Sequence, residues 1–332
     1  MPEFDLVIKG GTVIDGLRMP RYKADVGIVG TRIARIGRIP ASEGKKVLDA
    51  SGMIVAPGFV DLHTHYDSQI YWDPWCTISG YHGVTSVVVG NCGFGFAPCR
   101  PQDRERSMLA LSRNEAVPLK TMKAGMTWDW ETFPEYLDSL DRTPKAVNVS
   151  AYIGLGPIYG YAMGGVDAAK ERPASEKELA AMCQILVDAL EAGACGASTQ
   201  LGGDSGSDSV QRDYDGTPMV TDTRSLDELA AFARAMGSTG RGFFQLSFGG
   251  AAEARMRDAS ELVARESGRP VLYNVLSPAL GGQDQHGQDT LSMESVMAFL
   301  DRCHSDGMRI YAQAVTNPSV DMHFTLEDYN LL

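Results

Sequence analysis

The sequence predicts an α/β protein: a (β/α)8 TIM-type barrel, with about seven of its eight strands legible, behind a small N-terminal β-sandwich module. Two observations carry this. From Phe59 onward, short β-branched runs alternate with longer stretches of helical periodicity. Before that point the chain holds only short strand-like runs separated by tight turns. The predicted division is 1–56 for the β module and 57–332 for the barrel.

In the first module, "LVIKGGTVID" reads as two β-rich runs around Gly10-Gly11, a hairpin signal. "ADVGIVGTRIARIG" alternates apolar and polar residues around Gly30, a second hairpin, and "KKVLDASGMIVAPG" adds two short runs. The barrel strands are read at "FVDLHTH", "TSVVVGNC", "AVNVSAYIG", "ACGASTQ", "GFFQLSF", "RPVLYNV" and "RIYAQAV". Helices lie between several of them. In "SEKELAAMCQILVDALEAG", Ser175 is the predicted N-cap, Glu178 completes a capping box, and Gly193 ends the helix. "SLDELAAFARAMGSTG" repeats the box spacing with Ser225 and Glu228, and "DASELVARESGRP" and "SMESVMAFLDRCHSDG" continue the pattern. Strands alternating with helices imply right-handed crossovers and a parallel sheet.

One segment breaks the rhythm. Ala97 to Asp141 form a long connection containing "WDWETFPEYLDSLD". A long insertion on the active face of a barrel serves as a lid or pocket wall, or it packs as an excursion anchored by its tryptophans. Both readings stand. No eighth strand is legible before "LEDYNLL". Either one assigned strand is two, or the barrel lacks its last strand, and the second is the expectation. Open parallel edges then predict a poorly soluble chain.

Bulk composition excludes several classes. The chain has 332 residues, 30 Lys and Arg against 42 Asp and Glu, and a formal charge of −12. That balance argues against nucleic acid or an anionic membrane as partner, because phosphate binding needs clustered cations. The first residues show no basic segment followed by an apolar one, and no apolar run approaches a membrane span. The six cysteines form no CxxC pair. Free thiols in a reducing cytoplasm are expected.

The chemistry concentrates in "PGFVDLHTHYDSQIYWDPW". Residues two apart on a strand share a face, so His63 and His65 project together with Asp61, while Val60 and Leu62 face away. A lone histidine is ordinarily a core or surface group. Two imidazoles side by side at a strand end want a common partner, and a metal ion is the expected one.

"PGFVDLHTHYD" after a small β module resembles the metal-dependent amidohydrolase superfamily. "HGVTSVVVGNCGFGFAP" is similar to its D-aminoacylase (N-acyl-D-amino-acid deacylase) branch, as are "WDWETFPEYLDSLD", "AVNVSAYIG" and "EAGACGASTQ". The resemblance runs from about Leu6 to the last residues and is most specific over the first hundred or so. It implies that His63, His65 and Cys92 hold Zn2+, as one or two ions, and that the substrate is an N-acyl amino acid or a related small amide. A soft thiolate suits zinc, and the glycines of "GFGF" allow close backbone approach. "ACGASTQ" lacks the lysine that many wider relatives carry at strand four, which favours the cysteine branch.

The sequence also departs from the resemblance. Where it implies histidines at the ends of strands five and six, Gln245 and Asn274 stand, expected to line the site as weak ligands or substrate contacts. His286, in "GGQDQHGQD", is the reserve ligand, and His82, His304 and His323 read as structural or solvated. Asp67 and Asp73 read as capping groups. The aspartate implied at strand eight is not legible, so no catalytic base is assigned. The implied reaction is hydrolysis of a non-peptide amide C–N bond. Cyclic-amide opening on the same scaffold and a catalytically impaired small-molecule-binding barrel are the alternatives. A homo-oligomer is compatible with all three.

Overall fold

The computed structural model describes residues 2–202, 211–247, 253–276, 282–283, 289–290 and 292–314. The chain divides into two compact units, Met1–Phe59 and Val60–Leu332.

The first unit is built on β1 (Phe4–Val13), β2 (Tyr22–Val29), β3 (Arg32–Gly37), β4 (Gly44–Asp49) and β5 (Ile54–Val55). They form one sheet in the order β3-β2-β1-β4, with β5 also on β1. The hairpin at Gly30 is present, with that glycine at φ +57°. The hairpin expected at Gly10-Gly11 is not. β1 runs through both glycines, and its register against β2 slips between Ile8 and Gly11. The Gly-Gly pair makes a bulge, with Gly10 at φ +71°. Asp25 opposite the bulge fixes it. Its carboxylate accepts from Gly10 N, Lys9 Nζ and Ile39 N at 2.8, 2.7 and 2.9 Å.

The second unit opens with β6 (Phe59–Asp61), α1 (Thr77–Tyr81) and β7 (Val84–Val89). The long connection holds α2 (Arg104–Glu115), α3 (Leu119–Gly125) and α4 (Phe133–Arg142). β8 (Asn148–Gly154), α5 (Leu155–Met163), α6 (Val166–Glu171), α7 (Glu176–Ala192) and β9 (Gly196–Gln200) follow. Then come α8 (Leu226–Thr239), β10 (Phe244–Ser247), α9 (Glu253–Ser267) and β11 (Val271–Leu276). A two-residue pair, β12 (Gly282–Gln283) and β13 (Asp289–Thr290), precedes α10 (Met293–Ser305) and β14 (Ile310–Ala314).

Seven strands form one sheet in the order β14-β11-β10-β9-β8-β7-β6, each next to its predecessor among the barrel strands. The pairs from β7 to β14 are parallel. All seven expected strands are present. The sheet is curled, because Gln245 on β10 reaches Cys92 beyond the end of β7 at 3.1 Å. Two strands lie between β7 and β10, so a flat sheet would hold them roughly 14 Å apart.

The helices bury the faces their spacing predicts. Met182, Leu186, Ala189 and Leu190 of α7 are buried, and Ser175 and Glu178 form the expected capping box. On α8, Ser225 accepts from Glu228 N, but the Glu228 carboxylate does not return to the cap. It accepts instead from Tyr159 Oη at 3.1 Å and Ala174 N at 3.1 Å, a buried tertiary tie. The long connection packs around its tryptophans. Trp130 is buried, stacks on Tyr71 and Trp128, and donates Nε1–H to Phe96 O at 2.8 Å. Among the described residues no helix is long and apolar enough to cross a membrane.

Candidate metal centre

β6 is shorter than the predicted strand and ends at Asp61. The run to His65 nevertheless stays tied to its neighbour: Thr64 N and Thr64 Oγ1 both donate to Val88 O, at 3.2 and 2.8 Å. Asp61 Oδ1 accepts from His63 N at 3.1 Å. Thr64 is turned into the sheet, so its two flanking imidazoles face the same way, with ring centroids 5.3 Å apart.

Cys92 lies in a turn just past β7. It adopts φ +58°, the left-handed region, between Gly90 at +77° and Gly93 at +79°. Gly90 has no alternative, because a Cβ there would stand 2.3 Å from Tyr152 O. The coil lifts Cys92 Sγ to 3.1 Å from His63 Nε2. Donor atoms of His63, His65 and Cys92 all lie within 4.8 Å of one another. Asn91 holds the two halves together, donating from Nδ2 to Thr64 O and Val88 O at 3.1 and 3.0 Å.

The surroundings suit a divalent cation. His65 Nδ1 is buried without a hydrogen-bond partner among the described residues, as are both carboxylate oxygens of Asp67. Burial, then the neighbouring His63, presses His65 down to about 3. Burial pushes Asp67 up to about 7, and burial with the charge of Asp67 pushes Glu115 up to about 8. Burial, followed by the carboxylates Glu115, Asp222 and Asp67, pushes the Cys92 thiol far up, against a hydrogen bond from Ser247. No cation acts on Asp67 or Glu115, and burial keeps Asp222 up at about 7 despite the charge of Arg255. A bound cation would bring the carboxyl and thiol values back down, and it would hold His65 in the neutral form that burial already favours.

Glu115, the last residue of α2, places Oε1 3.4 Å from His65 Nε2. The long connection therefore reaches the site as well as packing. Nothing in "LSRNEAVP" marks this residue. Ser247, 3.3 Å from Cys92 Sγ, did leave a signal: it shares a strand face with Gln245 in an otherwise apolar run.

Gln245, expected toward substrate, has both ends of its amide engaged, by Cys92 N–H and by Ser247 Oγ. Asn274 donates to Ser247 Oγ. Of the two carboxylates read as caps, Asp73 is one, accepting from Thr77 N and Oγ1 at 3.1 and 2.9 Å. Asp67 is not: its carboxyl is deeply buried, and burial outweighs the pull of its own and Gly90's backbone N–H groups. His82 is exposed, and His304 Nε2 bonds Ile310 O at 2.6 Å. His286 and His323 lie outside the described residues. Beside the cluster, a small cavity of about 50 Å³ is lined by Phe94, Phe96, Leu111 and Met219, with Arg106 and Asp213 as its charged members.

A curled parallel sheet with paired histidines and a cysteine at one end defines a hydrolase scaffold, and residues 46–327 match the Amidohydrolase family, to which this chain belongs. The particular likeness is to deacylases of D-amino acids. The chain is 40% identical over 222 residues to N-acyl-D-glutamate deacylase of Alcaligenes xylosoxydans xylosoxydans, covering 67% of this chain and 42% of the relative. A crystal structure of D-aminoacylase, described as defining a novel subset of amidohydrolases, superposes with a TM-score of 0.71 at 27% identity, over 94% of this chain and 58% of that one. N-acyl-D-glutamate deacylase from Bordetella bronchiseptica, in complex with zinc and a phosphonate mimic of the tetrahedral intermediate, gives 0.70 at 25% identity, over 93% and 58%. The chain thus spans less than two thirds of the length of each.

Proposed function

We propose that this chain is a zinc amidohydrolase that cleaves the amide C–N bond of an N-acyl-D-amino acid. The observation that carries this is the convergence of His63, His65 and Cys92 within 4.8 Å. Two neutral imidazoles and a thiolate are a zinc donor set that leaves a position open. When bound, the cation supplies Lewis acidity toward a carbonyl oxygen.

The chain's own residues do the rest. Asp61 and Thr64 hold the histidine run, and Asn91 sets the cysteine turn against it. Glu115 faces His65 and fixes the orientation of its ring, the arrangement that carboxylates commonly make with metal-binding imidazoles. The adjoining cavity is mostly apolar, which suits an acyl group, while Arg106 and Asp213 give it a polar end. Similarity to enzymes named for N-acyl-D-glutamate and D-amino-acid deacylation supports this substrate class. The six free thiols fit a reducing compartment, and the cytoplasm is part of this reading.

The test is metal analysis of the purified protein with a hydrolysis assay on a panel of N-acyl-D-amino acids. About one zinc per chain is expected, lost in Cys92→Ala together with turnover. Protein that stays metal-free under zinc supplementation would sink the proposal. Zinc binding without turnover of any panel member would favour the small-molecule-binding barrel.

A further inference from the structure

The ends of β10 and β11 carry amides where the family resemblance implies imidazoles, and their hydrogen bonds show what those amides do. Cys92 N–H can only donate, and it reaches Gln245 Oε1 at 3.1 Å. That fixes the orientation of the Gln245 amide and turns its Nε2 toward Ser247 Oγ, 2.5 Å away. Asn274 Nδ2 donates to the same oxygen at 3.1 Å. A hydroxyl has two lone pairs and one proton. Two amide donors fill the lone pairs. The proton is left for the third neighbour, Cys92 Sγ at 3.3 Å. Ser247 is 4% exposed and Gln245 0%, so water does not compete for these places.

We propose that Ser247, oriented by Gln245 and Asn274, is a positioning residue that donates its proton to the Cys92 sulfur and completes a site for a single thiophilic divalent cation. This rests on Cys92 being a metal ligand, the reading given above. Strands five and six then contribute the outer shell of the thiolate instead of ligands for a second ion. A hydrogen bond to a metal thiolate withdraws charge from sulfur, which makes the ion a stronger Lewis acid and fixes the direction of the S–metal bond.

The experiment uses the full chain loaded with Co2+ or Zn2+. It reads ion stoichiometry, Zn2+ affinity by chelator competition, and the sulfur-to-cobalt charge-transfer band. Wild type is expected to take up about one ion. Ser247→Ala should keep that stoichiometry, bind about 10- to 100-fold more weakly, and show the band displaced to lower energy. Ser247→Thr, which keeps the hydroxyl, should restore both. Asn274→Leu removes one of the two donors and should move the band the same way by less. This second variant carries the test if a thermal melt shows Ser247→Ala to be unfolded. An unmoved band and unchanged affinity in folded Ser247→Ala would overturn the proposal while leaving the metal site intact, and two ions per wild-type chain would overturn its single-ion element. A wild type that takes up no ion overturns the underlying assignment of Cys92.

Discussion

Thr64 sits between the two histidines and acts in the opposite direction from them. Its backbone and hydroxyl both bond Val88 O. Thr64→Val keeps the shape and loses the hydroxyl bond, which should lower stability by about 1 kcal/mol and weaken zinc binding; urea titration and chelator competition read the two effects. Gly90 is the stricter position. An added Cβ would meet Tyr152 O at 2.3 Å in a backbone that already has φ +77°. Gly90→Ala is expected to destabilise by about 2 kcal/mol or more, seen as a lower unfolding midpoint. At this scale the three clustered side chains were legible and their supports were not. "HTH" declares itself by residue type and spacing, and "NC" only through its resemblance to the D-aminoacylase branch. The roles of Thr64 and Ser247 depend on which carbonyl or sulfur lies across the sheet, and Glu115 arrives from a helix that no local pattern links to the site.

Among the elements, helices separate local from tertiary demand. The Ser175 and Glu178 pair of α7 closes its capping box while Glu178 also pairs with Arg172 just before the helix, and the sequence pattern reads the box correctly. The same spacing on α8 misleads, because Tyr159 and Ala174 compete for the Glu228 carboxylate. Glu228→Ala should therefore cost about 2 to 3 kcal/mol by leaving buried donors unpaired, against about 1 kcal/mol for Ser225→Ala. Chemical denaturation of the two variants gives the ratio, and equal losses would refute the tertiary tie. The Gly10-Gly11 bulge has the same origin. Two glycines signal a reversal of the chain, but Asp25 offers their backbone and Lys9 a buried acceptor within a continuing strand.

For the whole molecule, the alternation of strand and helix was enough to place seven neighbouring strands in order. That rule is global, since parallel neighbours need crossovers whatever the side chains are. The first unit makes a prediction in pH. Burial works to raise the Asp25 carboxyl, but the bonds from Ile39 N, Lys9 Nζ and Gly10 N, with the Lys9 charge, outweigh it and bring it from 3.8 down to about 2. A depressed carboxylate stabilises the fold above its unfolded value, and that contribution is lost as pH falls from about 4 toward 2. Asp25→Asn should be less stable than wild type at neutral pH, and the gap should narrow across that window in melts recorded at stepped pH.

The single side chain of Asn91 bonds both the histidine run and the strand that leads into the cysteine turn. That tie fixes the spacing of the two donor segments through a side chain outside the donor cluster. An ion entering such a finished socket has little chain left to order, so uptake is limited by access and by fit to a fixed span. Exchanging zinc for cobalt should leave the far-ultraviolet dichroism unchanged, and ions too large for the span should be turned away without any unfolding.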